Sequence, residues 1–70
     1  MSQKHNEYIS PSRQVSIEIN GQIYNGSYTV VSDIITVSYK MEKETTQVGG
    51  TPPDILARVL LSELVHKENA

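Results

Sequence analysis

Seventy residues with a formal net charge of -2 leave room for one small domain and exclude two independent cores. The chain has no cysteine, so neither a disulfide nor a thiolate metal site can hold it together, and tight packing or a partner subunit must do so. Six Lys and Arg against eight Asp and Glu argue against a free-standing nucleic-acid-binding domain, whose non-specific affinity comes from neutralising phosphates.

Residues 1–12 are polar and end in Ser10-Pro11-Ser12, with Tyr8 and Ile9 as the large apolar side chains after Met1. They read as a flexible N-terminal tail ahead of a single domain over residues 13–70. The N-terminus lacks the apolar stretch of a signal peptide, and no segment approaches the roughly 18 apolar residues of a membrane span. A cytoplasmic location without a membrane partner is expected. Asn25-Gly26-Ser27 matches a glycosylation sequon, which without a secretion signal reads as ordinary strand or turn chemistry.

Beyond the tail the pattern changes. Val15, Ile17 and Ile19 alternate with Ser16 and Glu18, the period of a half-buried strand over about 14–19. Asn20-Gly21 follows, a strong signal for a two-residue type I′ hairpin turn, because both central residues need positive φ. That turn pairs Ile19 with Gln22, Ile17 with Tyr24 and Val15 with Gly26, and directly paired residues share a sheet face. A second strand over about 22–31 therefore puts Tyr24, Gly26, Tyr28 and Val30 beside the first apolar row. Asn25-Gly26 as a hairpin turn would leave this strand too short, so Gly26 marks a bulge or a close approach of the helix.

A second two-residue turn at Ser32-Asp33 pairs Val30 with Ile35 and Tyr28 with Val37. The third strand, about 34–43, then adds Ile35, Val37, Tyr39 and Met41 to the same layer. Two independently placed turns give one continuous apolar face, and a slip of one residue would scramble it. The other face carries Ser16, Glu18, Asn25, Ser27, Thr29, Thr36, Ser38 and Lys40, with Ile23, Val31 and Ile34 as apolar exceptions. Lys40 to Glu44 is expected to carry the third strand into solvent, and Thr45 to Gly50 to form a loop.

Thr51 as cap, Pro52 at the first helical position and Asp54 three residues after the cap start a helix over about 52–68. Asp54 with Arg58 and Glu63 with Lys67 stand in the favourable i,i+4 order. Leu56, Leu60 and Leu64 form one row, and Ala57, Leu61 and Val65 the next, enough to cover a three-stranded sheet. The fold class expected is α+β: a three-stranded antiparallel meander followed by one C-terminal helix packed on one sheet face. Ile55 and Val59 fall on the opposite side of the helix, near Arg58, Ser62 and His66. One helix cannot bury both sides against one sheet.

Sites for chemistry are sparse. Gly49-Gly50-Thr51 before a helix suggests an anion loop, but Pro52 and Pro53 remove donors, Asp54 adds negative charge and no P-loop Lys follows. Glu63-x-x-His66 has the spacing of a di-metal bundle motif, yet one helix cannot supply the remaining ligands. His5 lies in the tail. Ser62 and His66 share a helix face without a third, orienting group, and Glu18 with Glu42 or Glu44 reads as solvated edge charge. No catalytic residue, cofactor or metal is expected, and the chain is not expected to be an enzyme.

The expected activity is protein association, beginning with a homodimer, through Ile55, Val59 and Ser62 on the helix and Ile23, Val31 and Ile34 on the outer sheet face. The alternative is a sheet-face DNA-binding domain of integrase-like architecture, using Arg13, Asn25, Thr29, Thr36, Lys40 and Lys43. That face lacks the bidentate Arg of a base reader. Were the helix on the opposite face, Tyr24, Tyr28 and Tyr39 would instead form an exposed stacking platform for RNA.

Overall fold

The computed structural model describes residues 11–68. It is an α+β fold of four strands and one helix: β1 (Arg13–Ile19), β2 (Gln22–Val31), β3 (Ile34–Tyr39), β4 (Glu42–Gln47) and α1 (Pro53–Glu68). The strands form one antiparallel sheet in sequence order. The lead-in expected over residues 1–12, and His5 with it, lies outside the described residues apart from Pro11 and Ser12.

The first hairpin has the expected register, with Ile19 opposite Gln22, Ile17 opposite Tyr24 and Val15 opposite Gly26. Asn20 and Gly21 have φ of 53° and 81°, the two positive angles of a type I′ turn. The second hairpin also pairs as expected, Val30 with Ile35 and Tyr28 with Val37. Its turn has positive φ at Ser32 alone, 58°, the pattern of type II′.

The third strand is shorter than expected and a fourth follows it. β3 ends at Tyr39, the chain reverses through Lys40-Met41, and Glu42–Gln47 pairs back along β3, from Tyr39 opposite Glu42 to Ile34 opposite Gln47. Lys40 has φ of 54°. Met41 does not join the apolar layer; it sits at the turn, 95% exposed. The segment expected as an exposed strand end and loop is therefore an edge strand. Its apolar content is low because α1 reaches only part of it, and Glu42, Glu44 and Thr46 on its helix side are only half-buried.

The helix begins at Pro53, one residue later than expected. The Pro52 carbonyl accepts the first helical bonds from the N–H groups of Ile55 (3.1 Å) and Leu56 (3.0 Å), so Pro53 takes the first helical position, where a missing N–H costs nothing. Thr51 instead donates its backbone N–H to the Val48 carbonyl at 3.3 Å. Lys67 reaches across to Glu42 on β4 at 4.0 Å rather than back to Glu63, and no Asp54–Arg58 ion pair forms among the described residues. Both partners of that bridge are exposed enough for it to contribute little.

The core lies between α1 and one sheet face. Ala57, Leu60, Leu61, Leu64 and Val65 pack on Val15, Tyr28, Ile35, Val37 and Tyr39. The tyrosine face is thus the covered one, with Tyr24 and Tyr39 in edge-to-face contact at 6.4 Å. Among the described residues no exposed aromatic platform forms. Gly26 is a close approach and not a bulge: β1 and β2 pair through it without a break, and a Cβ there would lie 3.0 Å from Leu61 Cδ1. Among the described residues, no helix is long and apolar enough to cross a membrane.

Candidate interaction surface

A single helix on a four-stranded sheet leaves three surfaces: the outer flank of α1, the open sheet face and the two sheet edges. The helix flank follows from its periodicity. At about 100° per residue, the buried row centres between Leu61 and Leu64, and Ile55, Val59, Ser62 and His66 cluster on the far side. Ile55 is 47% and Val59 48% exposed, and Ser62 is half-buried beside them. The His66 Nδ1–H donates to the Ser62 carbonyl of its own helix at 2.8 Å, and Glu63 points to solvent.

Lys67 gives the orientation of this row. Lys67 meets Glu42 on β4, so its side of the helix is the β4 side. Ile55 and Ser62 lie roughly 120–140° around the axis from Lys67 by way of the solvent side, on the part of the helix turned away from the sheet. The three helix candidates therefore form one row along the solvent-facing crest of α1.

The open sheet face is divided. Val31 and Ile34 are exposed, directly paired and side by side next to the Ser32-Asp33 turn. Ile23 is exposed on the same face but sits about 27 Å further along β2 at roughly 3.4 Å per residue. It belongs to the tip of the first hairpin. That tip runs free of the rest of the sheet, because β3 pairs with β2 only from Ser27 onward. Ile17, Ile19 and Tyr24 are half-buried on the helix side of this ribbon. The structure thus brings Ile55, Val59 and Ser62 together, and Val31 with Ile34, and leaves Ile23 apart.

The alternative set does not share one surface. Asn25, Thr29, Thr36 and Lys43 lie on the open face, where the Thr36 and Thr45 hydroxyls are 3.2 Å apart. Arg13 pairs with Tyr28 and so lies on the helix side. Lys40 is in the β3–β4 turn, its Nζ 5.6 Å from the centre of the Tyr39 ring. Glu18 and the Glu42/Glu44 pair occupy opposite edges and opposite faces. No cleft enclosing a small molecule forms among the described residues.

Sequence reasoning missed the β1 edge. Its signal was present in the hairpin: once Asn20-Gly21 places Ile19 opposite Gln22, the free side of the first strand follows. No family model matches the chain, and neither curated proteins nor solved structures give a match to it.

Proposed function

We propose that the protein is a small non-catalytic interaction module whose first partner is a second copy of itself. The observation that carries this reading is the pair Ile55 and Val59, half-exposed on a helix whose opposite side already fills the core. The exposed half of each side chain adds nothing to the fold of one copy and gains by removal from water in an assembly. A closed pair is the commonest assembly for a small soluble chain, and its stability then becomes concentration-dependent.

Sedimentation across a wide concentration range tests it. Burying the remaining half of each side chain is worth about 1 kcal/mol, and each copy contributes both. The double substitution Ile55→Lys, Val59→Glu is therefore expected to weaken the dimer by roughly two to three orders of magnitude while leaving the far-UV spectrum unchanged. A parent chain that sediments as a monomer at about millimolar concentration refutes the proposal.

A further inference from the structure

We infer that two copies join through their β1 strands, antiparallel about a two-fold axis at Ser16, so that two four-stranded sheets become one continuous sheet. This rests on the self-association proposed above and names a second surface for it.

Among the described residues β1 is an outer strand whose one neighbour is β2. A two-residue turn closes with the Ile19 carbonyl accepting from the Gln22 N–H, so Ile19, Ile17, Val15 and Arg13 all direct their backbone groups toward β2. Gln14, Ser16 and Glu18 alternate with them and direct theirs off the edge of the sheet. Among the described residues those groups have no backbone partner. Such an edge is a template for another strand.

Symmetry then selects the register. Two identical antiparallel strands are related by an axis normal to the sheet, so each residue pairs with one on its own face. Centred on Ser16, Gln14 pairs with Glu18 of the second copy and Ser16 with its own counterpart, and all three outward residues exchange hydrogen bonds. Centred on Val15, Glu18 would fall opposite Ser12, outside the strand; centred on Ile17, Gln14 would fall opposite the turn residue Asn20. The Ser16 register also fits chemically. On the helix side Val15 meets Ile17, extending both apolar layers, and Arg13 meets Ile19. On the open side Gln14 meets Glu18 as an amide–carboxylate pair. No like charges face each other.

The surroundings agree. An axis normal to the sheet puts both helices on the same face. β4, the other edge, carries Glu42, Lys43 and Glu44, and a seam there would press four carboxylates into it, against two from Glu18 at the β1 seam. Charged edges of that kind resist pairing.

Three measurements on the full chain test the seam. Amide exchange is expected to show Gln14, Ser16 and Glu18 protected at high concentration and unprotected on dilution. Ser16→Pro removes a donor that faces away from β2, a placement an edge strand tolerates, and is expected to leave a folded monomer with association at least 100-fold weaker. Should that variant fail to fold, cysteine scanning decides. Residues paired through hydrogen bonds stand about 5.5 Å apart at Cα, within disulfide range. Ser16→Cys is expected to cross-link alone under mild oxidation. Gln14→Cys and Glu18→Cys are expected to cross-link when mixed and not singly. A dimeric parent without these cross-links and with freely exchanging amides overturns the β1 seam and leaves self-association standing. A parent that stays monomeric, its edge free for a strand of another protein, overturns both.

Discussion

Gly26 is where the fold has least room, and Gly26→Ala tests the packing derived above. A Cβ at this position would stand 2.7 Å from the Ser38 carbonyl oxygen and 3.0 Å from Leu61 Cδ1, where ordinary contact begins at 3.4 Å. The Ser38 oxygen is backbone on the neighbouring strand, so relief needs β2 and β3 to part locally. Leu61 is fully buried and has nowhere to move. Overpacking of this kind costs about 1–3 kcal/mol. Replacing glycine offsets about 0.4–1 kcal/mol of that by restricting the unfolded chain. A net loss of about 1–2 kcal/mol is expected, which lowers the melting temperature by roughly 5–15 °C in a domain of this size. Thermal and urea unfolding at one fixed protein concentration measure it, because association also shifts stability. A Gly26→Ala chain as stable as the parent would refute the account of why a glycine stands in mid-strand. A Leu61→Ala background separates the two contacts: it removes the clash with Leu61 and keeps the one with backbone.

Further expectations follow from single features. Leu61→Ala alone opens a cavity at a fully buried site and is expected to cost about 2–5 kcal/mol, read by the same unfolding curves. Ser32→Gly has the opposite sign: Ser32 holds a φ of 58° that glycine adopts without penalty, so the variant is expected to gain about 0.5–1 kcal/mol. Amide exchange checks the fourth strand, with Glu44 and Thr46 protected by pairing to β3 and Lys43 and Thr45 exchanging freely; uniform fast exchange over residues 42–47 would remove β4. Lys67→Ala is expected to change stability by less than about 0.5 kcal/mol, since its bridge to Glu42 is solvent-exposed.

Two hairpins and the helix were legible in the residues themselves. Asn20-Gly21 dictates a turn by its tolerance of positive φ, and the turn dictates every pair from Ile19–Gln22 to Val15–Gly26. The alternation of Val15, Ile17, Tyr28, Ile35 and Val37 then decides which face is buried, because a one-residue slip would turn each of them to water. The 3.6-residue spacing of Leu60, Leu61 and Leu64 does the same for the helix.

Tertiary structure decided the rest. Lys40-Met41 carries no turn signature, and Glu42–Gln47 has no apolar alternation, so nothing local marks either as part of a hairpin. The strand exists because β3 offers a row of unpaired backbone groups, and backbone pairing asks little of side chains at an edge that the helix barely covers. The same division applies to the proposed seam. Small size and the absence of cysteine pointed to a partner subunit. Which edge would take it depends on which strands lie outermost, and that is set only when the chain closes into a sheet.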